Sequence, residues 1–177
     1  MPINWSNASE EARNHIVQAG QLYLDGQVRL ATSADQRAAA LAGIFTAAGT
    51  AVLAGLIAVH LSDLTIKFTL PIYIGGGVSV VMFLLAGSVC IWSALPLEMW
   101  LPGGEPETWY RDIQSGKPFP DSMAELAELI QEKISENRKY IEANAKRFRF
   151  GAICGVISPG VGTLLWVAIL TCQSNHP

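Results

Sequence analysis

Five basic side chains crowd the last third of the chain, where they could hold an anion. These residues are Arg138, Lys139, Lys146, Arg147 and Arg149. Guanidinium and ammonium groups at this density bind phosphate and related anions through charge-assisted hydrogen bonds. The same groups also anchor proteins to acidic lipid headgroups, and the sequence leaves both roles open. The net charge of the whole chain is −3, which argues against a general nucleic-acid-binding protein.

No other group of residues has the spacing of a catalytic or metal site. The histidines and cysteines are scattered: they are His15, His60, His176, Cys90, Cys154 and Cys172. Zinc sites take most of their ligands from close sequence pairs, and the chain contains no phosphate-binding loop or nucleophile motif. We therefore predict that the protein is not an enzyme and requires no metal or cofactor.

Three long uncharged stretches dominate the composition. They cover residues 38–61, 72–97 and 150–173, which are 24, 26 and 24 residues long. About 20 apolar residues are enough for a helix to cross a bilayer, and only 15% of the chain is charged. The sequence thus predicts an all-α integral membrane protein with three transmembrane helices.

The lysines and arginines indicate how these helices are oriented. Eleven of the twelve lie in segments 1–37 and 98–149, and the twelfth is Lys67. Because short cytoplasmic segments carry the excess of basic residues, we expect the N-terminus inside the cell and the C-terminus outside. Segment 62–71 then forms a short external loop and 174–177 an external tail. Segment 98–121, rich in proline, glycine and tryptophan, is predicted to be a loop on the inner membrane surface.

Two long cytoplasmic helices are predicted to form a stalk, one in segment 1–37 and one over 122–149. Residues 7–10 and 122–125 resemble capping boxes that would start them. Each helix carries apolar residues at alternating spacings of four and three, which is typical of a coiled-coil seam. The first seam is Ala12, Ile16, Ala19, Tyr23, Gly26 and Leu30. The second is Met123, Ala127, Ile130, Ile134, Asn137, Ile141, Asn144 and Phe148.

We expect the second seam, from Ile130 to Asn144, to join copies of the chain. Its two asparagines would either fix the register of that assembly or face water. Small residues four apart predict close helix packing within the membrane. They are Gly43, Ala47, Ala51 and Gly55 in the first span, and Gly151 and Gly155 in the third.

Glycine and proline also suggest hinges. Gly75, Gly76 and Gly77 lie near the start of the second span, and Pro159 and Gly160 lie within the third. Proline removes a backbone donor and clashes with the carbonyl four residues earlier, so we expect a kink there. These positions serve either a gating movement or the static shape of the helices.

Two mildly polar helix faces are candidate pore linings. The first consists of Thr46, Thr50, Leu53, Ile57 and His60, and the second of Ser79, Met82, Ala86, Cys90 and Ser93. The spans lack aspartate, glutamate, lysine and arginine, which disfavours a proton-coupled transporter. A narrow apolar pore gated by dewetting needs no ionisable residue. Alternatively, the hydroxyl groups simply bond to carbonyls of their own helix.

The layout resembles the SLATT-type small membrane effectors of bacterial antiviral defence. The resemblance lies in a cytoplasmic helix that leads through residues 34–38 into an Ala/Gly-rich span, followed by a short turn, a second span and a basic cytoplasmic helix. The channel component of Hailong-type defence is similar. The resemblance implies a homo-oligomer, which we expect to be a trimer or tetramer in the bacterial inner membrane. It also implies a nucleotide or oligonucleotide regulator, or a nucleotidyltransferase partner. The third span is additional to the two-span SLATT layout.

The sequence therefore favours an oligomeric ion channel that is gated from the cytoplasm and depolarises the membrane. The alternative is a membrane anchor or scaffold that recruits a soluble partner through its cytoplasmic helices.

Overall fold

The computed structural model describes residues 8–61, 69–95, 98–104 and 106–174. Within these ranges 91% of the residues are helical and none forms a strand. The helices are α1 (Glu10–Leu61), α2 (Thr69–Ser93), α3 (Pro106–Ser115) and α4 (Phe119–Ser174). Helices α1, α2 and α4 each contain a stretch long and apolar enough to cross a membrane. The predicted all-helical class with three candidate spans is confirmed. Asn7, Lys67, His176 and most of the two external segments lie outside the described residues.

Helix α1 runs for 52 residues without interruption. Ser9 caps it, because its hydroxyl accepts a hydrogen bond from the Ala12 N–H at 3.2 Å. Glu10 and Glu11 follow in the first turn, where negative charge favours the helix dipole. The predicted cap, Asn7, lies outside the described residues. The expectation that the N-terminal helix runs directly into the first span is confirmed.

Helix α4 also joins a charged half to an apolar half, over 56 residues. It begins at Phe119, because the Pro118 carbonyl accepts hydrogen bonds from the N–H groups of Asp121 and Ser122. Pro120 is tolerated there, since the first turn needs no donor from it. Ser122 lies inside the helix and is buried, so the predicted capping box does not start it. The helix continues through Pro159.

The second span differs from its predicted limits at both ends. Helix α2 starts at Thr69 and therefore includes Pro71, which is buried in the first turn. It ends at Ser93, not at residue 97, and the Ala94 N–H closes the last turn on the Cys90 carbonyl at 3.1 Å.

A helix occupies part of the segment predicted to be a loop. The ten residues of α3 end in a Schellman motif around Gly116, whose φ is +66°. The Gly116 N–H bonds to the Ile113 carbonyl, and the Lys117 N–H bonds to the Asp112 carbonyl. Glycine suits this position because it adopts a left-handed conformation without strain.

The chain divides into two compact units. The first comprises residues 1–33 and 96–143. In it α1 and α4 lie side by side and parallel: the Arg13 guanidinium donates to the Pro120 carbonyl at 2.9 Å, and the Gln27 amide donates to the Ile134 carbonyl at 3.2 Å. Their shared core is Val17, Leu24, Met123, Ala127 and Ile130. Complete burial of a leucine such as Leu24 contributes about 1.5–3 kcal/mol.

This core uses a different stripe of α1 from the predicted one. The buried residues are Val17, Leu24, Gln27 and Ala31, whereas the predicted seam lies one position earlier and is exposed, apart from half-buried Ala12. A shift of one residue turns the stripe by about 100° around the helix. The predicted seam therefore lies outside this core, although its Tyr23 hydroxyl accepts a hydrogen bond from Arg138 of α4 at 3.4 Å.

The second unit comprises residues 34–95 and 144–177. Helix α2 packs antiparallel to both α1 and α4, and the core consists of Ala42, Phe45, Phe83, Ala86 and Cys90. In the most apolar stretch of each helix, 39% of α2 is buried but only 17% of α1 and of α4. Helix α2 is thus the most enclosed of the three.

Candidate functional site

The polar face predicted on α2 is packed inside the second unit. Ser79, Ala86, Cys90 and Ser93 are buried, and Met82 is half-buried. Cys90 and Ala86 contact Gly151 of α4, and Ala86 also belongs to the core around Phe45. A face that is filled by side chains of its own chain leaves no room for water, so these residues do not line a pore through one subunit.

Two serines join α2 to α4 within this packing. The Ser158 hydroxyl donates to the Ser79 carbonyl at 3.0 Å, and the Ser79 hydroxyl donates to the Ser158 carbonyl at 3.3 Å. Ser158 is completely buried. Pro159 follows it and supplies no N–H to the Gly155 carbonyl. The serine pair therefore holds α2 against α4 next to Pro159. At this position α4 lacks one of its backbone hydrogen bonds.

The glycines of α2 and α4 bring these helices close to each other and to α1. A Cβ built on Gly75 would lie 2.6 Å from the Gly162 carbonyl oxygen. A Cβ on Gly76 would lie 2.7 Å from the Leu56 side chain, and Gly155 lies directly against the Phe45 ring. Gly75 and Gly76 are thus sites of close packing inside a helix rather than a pliable end. Gly77 and Gly160, in contrast, have open space around them.

The polar face predicted on α1 is exposed, although its Thr46 hydroxyl lies beside Gly87 of α2. Thr46, Thr50, Leu53, Ile57 and His60 are all exposed. The Thr50 hydroxyl donates to the Thr46 carbonyl at 2.9 Å, which satisfies it without a partner from another helix. His60 contacts the edge of the Tyr73 ring, with centroids 6.2 Å apart. Within one subunit the predicted α1 face is therefore exposed, whereas the predicted α2 face is packed.

A shallow open groove of about 750 Å³ follows the same side of α1. Gly43, Ala47 and Ala51 line it together with Thr46 and Thr50. These small residues were predicted to pack against a helix. A Cβ added at Gly43 or Gly55 would meet no atom of another described element within 4 Å. Among the described residues, the two glycines of the α1 stripe therefore have no close neighbour from another helix, unlike Gly151 and Gly155 on α4.

The predicted oligomer seam of α4 is occupied by its own chain. Ile130, Asn137 and Asn144 are buried, and Ile134 and Ile141 are half-buried. Gly20 of α1 packs against Ile130, and Ile134 joins the core of the first unit. This face therefore has an intrachain role and does not offer a free surface for a second copy.

Both seam asparagines bond to backbone near the end of α2 or beyond it. In the first unit, Asn137 Oδ1 accepts from the Trp100 N–H at 2.9 Å, and Asn137 Nδ2 donates to the Trp100 carbonyl at 3.0 Å. In the second unit, Asn144 Nδ2 donates to the Ser93 carbonyl at 2.9 Å. Carbonyls in the last turn of a helix lack intrahelical partners, so Asn144 caps the C-terminus of α2.

Two of the five basic residues are bonded to other side chains within their own units. Arg138 donates to the Tyr23 hydroxyl at 3.4 Å in the first unit, and this bond raises the pKa of Arg138. In the second unit, Arg147 stacks on Trp92 at 4.7 Å and donates to Asn144 Oδ1 at 3.1 Å. Exposed side chains belong to Lys139, Lys146 and Arg149. Arg147 is thus engaged in holding α4 to α2.

The first unit has its own cavity, an open cleft of about 760 Å³ between α3, α4 and residues 99–104. Trp100 and Trp109 line it, and Lys133 lies 5.1 Å from the centre of the Trp100 ring. At one end, Lys117 bridges Glu125 at 2.5 Å and Asp112 at 3.8 Å. The Trp100 indole N–H donates to Glu136, and the Gly103 N–H donates to Gln21. These bonds fix segment 98–104 along α4 and α1.

Sequence reasoning missed several of these contacts. The serine pair was not expected, although Gly151, Gly155, Ser158 and Gly162 have the 4–3–4 spacing that would have revealed it. Gln27 gave no signal: it is buried, and its Oε1 has no hydrogen-bond partner. Within the described residues no cluster of histidine, cysteine, aspartate or glutamate could hold a metal ion.

Comparison with known protein families, with curated proteins and with solved structures found no match to this chain.

Proposed function

We propose that the chain is the subunit of an oligomeric channel in the bacterial cytoplasmic membrane, closed at rest and gated from the cytoplasm. One observation carries the proposal: α1 presents an exposed, uncharged face with Thr46 and Thr50, while the polar face of α2 is packed against the other helices of the second unit. Ions would therefore pass between copies, not through one.

The same face of α1 supplies both parts of a dewetting gate. Thr46 and Thr50 offer polar atoms to water, whereas Leu53 and Ile57, both exposed, would form an apolar constriction. A narrow apolar ring excludes water and ions until it widens. Such a gate requires no ionisable side chain, in keeping with the sequence of the spans.

The orientation is part of the proposal. Segments 1–37 and 98–149 contain eleven of the twelve lysines and arginines, and such segments remain in the cytoplasm. This places the first unit on the side from which a cytoplasmic signal arrives.

Continuity of α1 and α4 supports gating from the first unit. Each helix extends from the charged half into an apolar stretch without a break, so a rotation of the charged half is carried along the helix. Pro159 and Gly160, which are exposed, allow α4 to bend. A regulator that favours the open state by about 4 kcal/mol shifts the equilibrium nearly a thousandfold.

The regulator that we propose is anionic. Lys139, Lys146 and Arg149 have exposed side chains, whereas Arg147 is occupied. The resemblance to SLATT-type effectors supports a nucleotide or oligonucleotide signal, delivered free or by a partner nucleotidyltransferase.

A pair of matched leucines tests the channel. Leu53 on α1 and Leu84 on α2 are equally exposed, at 45% and 46%, but only Leu53 belongs to the proposed pore face. Leu53→Ser should depolarise cells, as measured with a potential-sensitive dye, and should conduct in planar bilayers. Leu84→Ser should do neither. Equal effects of both substitutions, or silent bilayers with the Leu53→Ser oligomer, would contradict the proposal. Ala86, which is packed inside, is not a pore position in this scheme.

A second candidate function, a membrane-anchored scaffold, is favoured by the outer face of α3. Tyr110 and Ile113 are 61% and 75% exposed, and Leu101 and Phe119 are also exposed in the same unit. Apolar surface of this kind marks sites of protein interaction. If the scaffold reading is right, Tyr110→Ser with Ile113→Ser abolishes the biological effect while the membrane potential stays intact in every variant.

A further inference from the structure

The open cleft of the first unit has the size and the walls of a small-molecule site. Its volume is about 760 Å³, and ligand pockets usually measure about 300–1,000 Å³ with mostly apolar walls. The apolar and aromatic residues that line it are Met99, Leu101, Leu126, Leu129, Trp100 and Trp109. All of them belong to residues 96–143, so the cleft lies within one compact unit. It therefore suits a ligand with an apolar or aromatic body.

The two tryptophans of the cleft are already held in place. Trp109 stacks on Phe119, with ring centroids 6.2 Å apart, and packs against the core of the unit. Trp100 is bonded through its backbone to Asn137 and through its indole N–H to Glu136, yet its side of the cleft remains open, since the residue is 48% exposed. Groups that are ordered before binding lose little conformational entropy when a ligand arrives.

Lys133 is a charged group of the cleft that lacks a counter-charge. Its Nζ lies 5.1 Å from the centre of the Trp100 ring, and the residue is half-buried. It forms no ion pair with any carboxylate of the described residues. Glu136, three residues further along α4, is bonded to the Trp100 indole instead. An anion gains more from a partly desolvated ammonium of this kind than from one in open water.

The opposite charge balance holds at the other end of the cleft. Asp112 and Glu125 line it, and both are paired with the single ammonium of Lys117. Two carboxylates and one ammonium leave a formal charge of −1 there, so a second anionic group of a ligand is repelled. Ser122, which is buried, also lines the cleft and offers a hydroxyl to a neutral polar group. Polyphosphates and dinucleotides are therefore poor candidates for this site.

We propose that the cleft binds an amphipathic organic molecule with one anionic group. The anionic group, a carboxylate or a sulfonate, forms a charge-assisted hydrogen bond with the Lys133 ammonium. The apolar body lies against Trp100, Trp109 and Leu129. The site is separate from Lys139, Lys146 and Arg149, and ligand binding here does not depend on whether the protein conducts ions.

Three probes that share one ring system test the charge preference. Naphthaleneacetate is anionic, naphthaleneacetamide is neutral and naphthalenemethylammonium is cationic. Isothermal titration calorimetry of the full chain in phosphatidylcholine nanodiscs should show the anion binding about tenfold more tightly than the other two, as expected for one charge-assisted hydrogen bond. Equal affinities for the three probes would overturn the proposal.

Substitutions assign that preference to Lys133. Lys133→Met should abolish it and Lys133→Arg should keep it. The matched control is Lys139→Met on the same helix, which is exposed and does not line the cleft. A loss of preference in Lys139→Met as large as in Lys133→Met would show that the anion binds to general positive charge and would overturn the site.

The apolar wall has its own test. Leu129→Ser should weaken the binding of all three probes alike, because each has the same body. Ile113→Ser, at an exposed position of the same unit that does not line the cleft, should leave binding unchanged. Equal affinities of the Leu129→Ser variant and the unchanged protein would place the probes elsewhere and contradict the proposal.

The lipid composition of the nanodiscs separates two sources of such an anion. A fall in the affinity of naphthaleneacetate in phosphatidylglycerol nanodiscs that disappears in Lys133→Met would support the site with a lipid as its occupant. An unchanged affinity would support the site with a soluble acid.

Discussion

Asn137 of α4 pairs with both backbone groups of Trp100, as donor and as acceptor, from a position that is completely buried. Trp100 lies outside the helices, so no helix turn or strand supplies partners for its backbone N–H and carbonyl. The Asn137 amide supplies both partners instead. It therefore fixes the path of segment 98–104 after α2.

Replacing Asn137 by alanine should loosen that segment. Two hydrogen bonds are lost and a buried site is vacated, which should cost about 1–3 kcal/mol of stability in the first unit. Limited proteolysis within residues 98–104 measures the effect. Gln131→Ala, on the exposed side of α4, is the control and should leave the cleavage rate unchanged; an equal increase in both variants would rule out a specific role for Asn137.

Leucine in place of Gly155 should disrupt the second unit. The glycine lies against the Phe45 ring, and overpacking of a filled core costs about 1–3 kcal/mol or more. Gly160→Leu on the same helix meets open space and should be tolerated. Thermal unfolding in detergent compares the two variants, and a similar loss in both would show that the helix responds to leucine itself rather than to the contact.

Removal of the Ser158 hydroxyl should weaken the association of α2 with α4 by about 0.6 kcal/mol, and by no more than about 1.7, as for other hydrogen bonds between membrane helices. Ser88→Ala is the comparison, because the Ser88 hydroxyl bonds only to its own helix at the Leu84 carbonyl. Unfolding in mixed detergents gives both values. If Ser88→Ala proves as destabilising as Ser158→Ala, the hydrogen bond between the two helices contributes no more stability than a hydrogen bond within one helix.

Alkaline pH should destabilise the contact between α3 and α4. The hydrogen bond to Glu125, assisted by the charges of Asp112 and Glu125, raises the pKa of Lys117 above its usual value. The stabilisation is fully present below about pH 10, near the pKa of an unfolded lysine. It is lost as the pH rises through the raised pKa of the folded state. Tryptophan fluorescence, which reports on nearby Trp109, should follow this loss. Lys117→Arg should shift it to higher pH, and a fall of the same size in Lys117→Met would exclude Lys117 as the cause.

The orientation can be tested directly with C-terminal reporters. An alkaline phosphatase fused after Pro177 should be active, and a fluorescent protein at the same point should be dark, since we expect the C-terminus outside. Fusions after Gln114 provide the opposite control. A fluorescent C-terminal fusion would reverse the proposed topology and move the first unit out of the cytoplasm.

Periodicity and the absence of charge were sufficient to predict the long helices. The two continuous helices α1 and α4 followed from uninterrupted patterns, and the face of α4 from Met123 to Asn144 was predicted in correct register. The sequence pattern did not show which helix packs against each apolar face. On α1 two apolar stripes lie one residue apart, and only the side chains of α4 decide that Val17 rather than Ile16 is buried.

Helix ends were also poorly determined by local pattern. The pattern of residues 7–10 predicted a cap at Asn7, which lies outside the described residues, and gave no sign that the Ser9 hydroxyl accepts from the Ala12 N–H. At the start of α4, the Pro118 carbonyl accepts the first hydrogen bonds of the helix. Ser122, which the sequence pattern favoured as the cap, is buried inside the helix. Sequence indicated the residue types at the polar face of α2, but Ser79 and Cys90 are buried because glycines of α4 bring the two helices together.

The close contact of Gly75 with Gly162 has a consequence for biogenesis. Helix α4 follows α1 and α2 in the sequence, so the glycine–serine side of α2 has no α4 partner until residues 150–174 have been synthesised. A chain cut short at Arg149 should therefore be degraded in the membrane soon after synthesis, even though both of its remaining spans are long enough to insert.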